Sequence, residues 1–220
     1  FLLHKSHLLA MTELEAINTL LSVIGESPVD SLPEGVANQP TDAALAKRTL
    51  TEVRRDVQAE GWSWNTDMDY KITPNAADEF NLPSDTLRAT FYPTKYPYMQ
   101  YVQRGNKVYD KVAKTFKFAK NPTTVDEIVV SELIRNLGWD EIPHAGQQYI
   151  TIRSARIYSD RYINSNVIYQ YTIGDEDYAR NQLMRAEESG QQNNMLFGNE
   201  LGMGQGIGYM PVNTLRYRRS

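Results

Sequence analysis

The side chains that could do chemistry are few, and their spacing argues against most of it. Histidine occurs only at His4, His7 and His144. His4 and His7 stand three apart, a separation at which two imidazoles on one helical turn can pinch a metal, yet no carboxylate beside them completes a ligand set. His144 follows Ile142-Pro143 and reads as the start of a helix. Cysteine is absent, which removes thiol nucleophiles, thiolate metal sites and disulfides together. Carboxylates cluster at Asp67/Asp69, Asp78/Glu79, Asp140/Glu141, Asp175/Glu176/Asp177 and Glu187/Glu188. Two acids at a fixed separation suffice for glycoside hydrolysis, but nothing sets these apart from helix caps and solvated loops. No Gly-x-x-x-x-Gly-Lys-Ser/Thr loop is present. Gly202-Met-Gly-Gln-Gly206 shares only its glycine content with a phosphate cradle, since it opens no helix. Catalytic residues, cofactor-binding residues and metal ligands are all expected to be none, and so are cofactors.

What remains is charge and adhesive surface. Arg48, Arg54 and Arg55 lie off an apolar helical stripe and are candidates for a subunit interface or a channel lining. The chain ends with Gly198, Gly202, Gly204, Gly206 and Gly208 interleaved with Leu201, Met203, Ile207, Tyr209 and Met210. A solvated linker carries Ser, Glu or Lys between its glycines; this one carries groups worth burying on a partner. Tyr209, Met210 and Leu215 are the expected apolar anchors, and Arg216, Arg218 and Arg219 the charges that meet carboxylate or phosphate oxygens.

The elements that must position these groups follow from periodicity. Leu14, Ile17, Leu21 and Ile24 recur at helical steps, with Thr12 and Glu15 as a capping box and Gly25 as the terminator. Ala43, Ala46, Leu50, Val53 and Val57 form a second stripe, from about residue 41 to 60, closed by Gly61 and followed by Trp62 and Trp64. Between residues 65 and 142, prolines and β-branched and aromatic residues predict strands at 68–73, 86–92, 99–104, 107–110, 115–118 and within 125–137. Arg104-Gly-Asn-Lys107 reads as a hairpin turn, with Gly105-Asn106 at positive φ. A third helix is predicted over 144–164 with Tyr149, Ile152, Ala155, Ser159 and Tyr162 along its stripe, and a fourth from about 174 to 194 that grows polar towards its end.

Composition bounds the rest. The 220 residues include 23 Lys and Arg against 27 Asp and Glu, a net charge of −4; a protein coating duplex DNA over its whole surface would carry the opposite sign. Hydrophobic residues at 41% and charged residues at 23% exclude wholesale disorder. No apolar run approaches the roughly 20 residues that span a bilayer, so no membrane partner is expected.

Three stretches, taken together, resemble the tail tubular protein A family of short-tailed, podovirus-type phages. They are Ala16-Ile-Asn-Thr-Leu-Leu-Ser-Val-Ile-Gly-Glu-Ser-Pro-Val-Asp-Ser-Leu32, Ala46-Lys-Arg-Thr-Leu50 continuing to Gln58-Ala-Glu-Gly-Trp62 and Asn65, and Arg104-Gly-Asn-Lys-Val-Tyr-Asp110. Family members are head-to-tail adaptors, or gatekeepers. The resemblance implies an α+β protein: an antiparallel four-helix bundle with a small inserted β domain and an extended C-terminal arm. The expected divisions are a leader or disordered arm at 1–10, two bundle helices at 11–64, the β domain at 65–141, two more helices at 142–197 and the arm at 198–220. It further implies a homo-oligomeric ring, typically of twelve copies, between the portal protein and the nozzle protein (tail tubular protein B). Tail fibres attach near that junction, and the ring lines the channel through which phage DNA makes transient contact during retention and ejection. The protein would be assembled in the host cytoplasm and reside in the virion tail. The portal-contact arm is then Tyr209, Met210, Leu215, Arg216, Arg218 and Arg219. The alternative is a tail-associated carbohydrate-degrading enzyme.

Overall fold

The structure, a computed structural model, describes residues 11–31, 41–92, 100–118, 127–162 and 173–197, with 190–197 as backbone only. The chain divides into two compact units, Phe1–Glu187 and Glu188–Ser220. Of the second, the description covers the closing turns of one helix.

Helix α1 (Glu13–Val23) starts where the sequence places it. Thr12 Oγ1 accepts from Glu15 N at 3.2 Å, and Glu15 Oε2 accepts from Thr12 N at 2.7 Å, so two N-terminal donors are satisfied reciprocally. Gly25 closes the helix at φ +82°, with Glu26 N donating to Leu21 O and Gly25 N to Ser22 O, the paired bonds of a Schellman stop. Helix α2 (Asp42–Ala59) is capped by Thr41. It ends at Gly61, where φ is +84° and a β-carbon would stand 2.6 Å from Ile134 Cδ1. Only glycine satisfies both conditions.

After a 3-10 turn (Ser63–Asn65) come strands β1 (Thr66–Ile72), β2 (Thr86–Phe91), β3 (Tyr101–Arg104), β4 (Lys107–Asp110) and β5 (Ile128–Arg135). β5 lies between β1 and β2 in one antiparallel sheet, while β3 and β4 form a hairpin. The hairpin turns as expected, but among its two turn residues only Gly105 takes positive φ, as a II′ turn requires. Between β2 and β5 the register slips, Thr90 facing Glu132 and Phe91 facing Val130. Ser131 is thus the extra residue of a bulge, which resets the alternation and lets Ile128, Val130 and Leu133 enter one core. The strand expected at 115–118 is instead a fold-back: Thr115 bridges Asp110, Lys117 bridges Glu79, and Lys114 turns at φ +56°.

Helix α3 (His144–Tyr162) follows a second 3-10 turn (Trp139–Glu141), and α4 (Ile173–Phe197) closes the described chain. One core joins Ile17, Leu20 and Leu21 of α1, Leu50, Val53 and Val57 of α2, Tyr149, Ile150 and Tyr158 of α3, and Ala179 and Leu183 of α4. The other joins the strands through Phe80, Leu82, Val108, Ile128, Val130 and Leu133.

The fold is α+β, but it is not a four-helix bundle. Two helices precede the five strands and two follow them, and the strands hold a core of their own. α4 buries only Ala179 and Leu183 among its described side chains. Two small contacts do not make the continuous seam that a fourth bundle helix needs. On α3 the buried set also departs from the expected stripe: Ile152 is half-buried and Tyr162 exposed, whereas Gln147, Thr151 and Ser154 are buried. The first ten residues and the C-terminal arm fall outside the described residues.

Candidate subunit interface

α2 presents two faces, and the candidate residues divide between them. The inner face is the apolar stripe. The outer face carries Lys47, Arg48, Thr51, Glu52, Arg55 and Asp56, spaced at three and four as one side of a helix must be. A shallow concavity of about 560 Å³ lies against these residues. Arg48 and Arg55 are exposed there, and among the described residues neither forms an ion pair. Arg54 is turned away from that groove and half-buried, with its Nε enclosed and without a hydrogen-bond partner.

Glu52 is held by α3. Arg161 Nη1 donates to Glu52 Oε2 at 2.8 Å and Nη2 to Oε1 at 3.2 Å. That two-pronged bond holds the Glu52 carboxyl below its ordinary range and raises the Arg161 guanidinium. With Glu52 held by Arg161, Arg48 and Arg55 bring positive charge to a groove that Asp56 also lines.

α4 is fixed to this scaffold largely by charge. Arg180 donates to both Glu60 oxygens, at 3.2 and 2.8 Å, and to Tyr149 Oη at 3.0 Å; Glu60 is the larger cause of its raised pKa. Glu176 accepts from Arg156 Nε and lies 3.6 Å from Arg153 Nη1. Tyr158, buried between α3 and α2, donates to Asp42 O at 3.0 Å, and desolvation pushes its hydroxyl up to about 12.

Several of the remaining chemical candidates are occupied structurally. Glu79 pairs with Lys107 at 2.6 Å and Asp67 with Arg135 at 3.5 Å. Glu141 Oε2 accepts from Gly138 N at 2.7 Å. His144 is exposed as the first residue of α3. Among the described residues no three His, Asp or Glu side chains gather as a metal site requires. His4, His7 and the six arm residues Tyr209, Met210, Leu215, Arg216, Arg218 and Arg219 lie outside the described residues.

The three resembling stretches prove to be joints. Asn18 clips the turn after α1, donating from Nδ2 to Val29 O at 3.0 Å and accepting from Val29 N at 2.8 Å. Gln58 and Asn65 tie the end of α2 to the end of β5. Arg104 stacks over Tyr109 at 3.6 Å across the hairpin. The family described as tail tubular protein matches the chain over residues 14–193, a span that contains all three. The chain belongs to the tail tubular protein family. As a tail tubular protein it is a structural component of the phage tail, a part of the virion that assembles with other tail proteins, and not an enzyme. Among curated proteins none matches it. The ties of α2 to α3 and of α2 to α4 join residues remote in sequence: Arg161 and Glu52 are 109 residues apart and Arg180 and Glu60 are 120 apart, beyond any local pattern.

Proposed function

We propose that this tail tubular protein is the adaptor that joins the portal to the tail nozzle, acting as a ring of identical copies around the DNA path. The observation that carries the reading is the family match over residues 14–193. A ring multiplies a modest contact between copies into a stable collar. The outer face of α2, with Arg48 and Arg55 exposed over an open groove, is a candidate for that contact or for the channel wall. Arg54, half-buried and absent from the groove's lining, stands outside that face. The segment 198–220 is the portal-contact arm in this reading, with Tyr209, Met210 and Leu215 as apolar anchors and Arg216, Arg218 and Arg219 meeting acceptor oxygens. A chain truncated after Asn199 is expected to fold but fail to join portal-containing heads. Normal joining of that truncated chain refutes the arm's role.

A further inference from the structure

Two exposed apolar side chains in the strand-built half are ringed by charges of opposite sign. Val112 is 48% exposed in the fold-back after β4, flanked by the exposed Lys111 and Lys114, with Lys117 just beyond. None of these three lysines forms an ion pair with another described residue. The loop that carries them is pinned: buried Asp110 accepts from Val112 N at 2.8 Å and from Gln100 N at 3.3 Å, and its backbone exchanges hydrogen bonds with Thr115. Met68 is 63% exposed on β1, the outer strand of its sheet. Its cross-strand partner is Glu132, and the next residue is the exposed Asp69, held at φ +55° with its carboxylate accepting from Tyr92 Oη at 2.6 Å. The acidic spot lies on β1 of the three-stranded sheet, and the basic loop follows β4 of the separate β3–β4 hairpin.

We infer that the Val112 loop of one copy docks on the Met68 surface of the next copy, with Lys111 and Lys114 against Asp69 and Glu132. The inference rests on the ring reading. A patch and its complement at different places on one chain make a head-to-tail contact, which closes into a ring when the rotation allows. Opposite charges around an apolar centre fix orientation and reject other registers. Both spots are held by the fold before contact, so little ordering is lost on docking.

The test is sedimentation of the full chain across a concentration series. Exchanging Lys111→Glu and Lys114→Glu should raise the concentration at which rings form roughly tenfold or more, and high salt should do the same to the unaltered protein. Adding Asp69→Lys and Glu132→Lys to that variant should restore assembly, because the pattern is then inverted on both sides. Rings that form as before in the Lys111→Glu/Lys114→Glu chain overturn this contact and leave the ring reading standing. An unaltered chain that stays monomeric at every concentration removes the ring reading and the contact with it. If the lysine exchanges leave assembly intact but weaken salt-sensitive binding of duplex DNA, the loop is a nucleic-acid surface and the inference is wrong.

Discussion

The side-chain amide of Gln58 meets the backbone of Leu137 as a neighbouring strand would. Leu137 N donates to Gln58 Oε1 at 2.7 Å, and Gln58 Nε2 donates back to Leu137 O at 3.2 Å. Gln58 is fully buried and Leu137 half-buried, so water replaces the exchange poorly on the Gln58 side. Gln58→Ala should therefore cost roughly 2–4 kcal/mol, the sum of a small cavity and an orphaned backbone pair. Urea denaturation of the variant checks this, and an unchanged midpoint contradicts it.

Gly25 and Gly61 separate two costs. Both have positive φ, +82° and +84°, but Gly25 has open space where a β-carbon would go, while Gly61 faces Ile134. Gly25→Ala should cost about 1 kcal/mol of backbone strain. Gly61→Ala adds overpacking and should cost roughly 2–4 kcal/mol. Thermal unfolding of the two variants gives the order directly; equal losses would contradict it.

Acid should loosen the strand-built core through Glu79. Lys107 holds the Glu79 carboxyl below its ordinary 4.5. A depressed carboxylate contributes stability that is fully present above the ordinary value and is lost as pH falls through the depressed one. Lys107→Met should flatten the decline in stability below about pH 4.5. Denaturation midpoints from pH 7 to pH 3 test it, and parallel curves for the two proteins would count against it.

The hold on α4 should be sensitive to salt. Arg180 and Glu60 are each about a third exposed, so screening limits the pair to roughly 0.5 kcal/mol. Arg180→Met should leave global stability nearly unchanged while speeding amide exchange in the first turns of α4. Unaltered exchange there would mean that Glu176, Ala179 and Leu183 hold the helix without Arg180.

What could be read from the chain was what short-range chemistry decides. The Thr12–Glu15 box, the Gly25 stop and the Arg104–Lys107 hairpin are each complete within four to six residues. Lys114 shows where that logic ends: its left-handed turn bends 115–118 into a fold-back, although the residues have strand propensity. Gln147, Thr151 and Ser154 on α3 are buried by neighbours remote in sequence, and no apolar count finds them. The four-helix bundle failed for the same reason. α4 has helical length, but its hold depends on Glu60 and Arg156, which no pattern within α4 reveals. Of the candidate interface, Arg48 and Arg55 were legible as residues off the apolar stripe; the turning away of Arg54 was not.

The adaptor proposal meets its most direct test in electron microscopy of the purified protein mixed with its portal. A rotationally symmetric collar of this chain seated on the portal, absent when the chain stops after Asn199, is the predicted image. Bare portals beside free single copies, at concentrations where the chain is folded, would contradict the account.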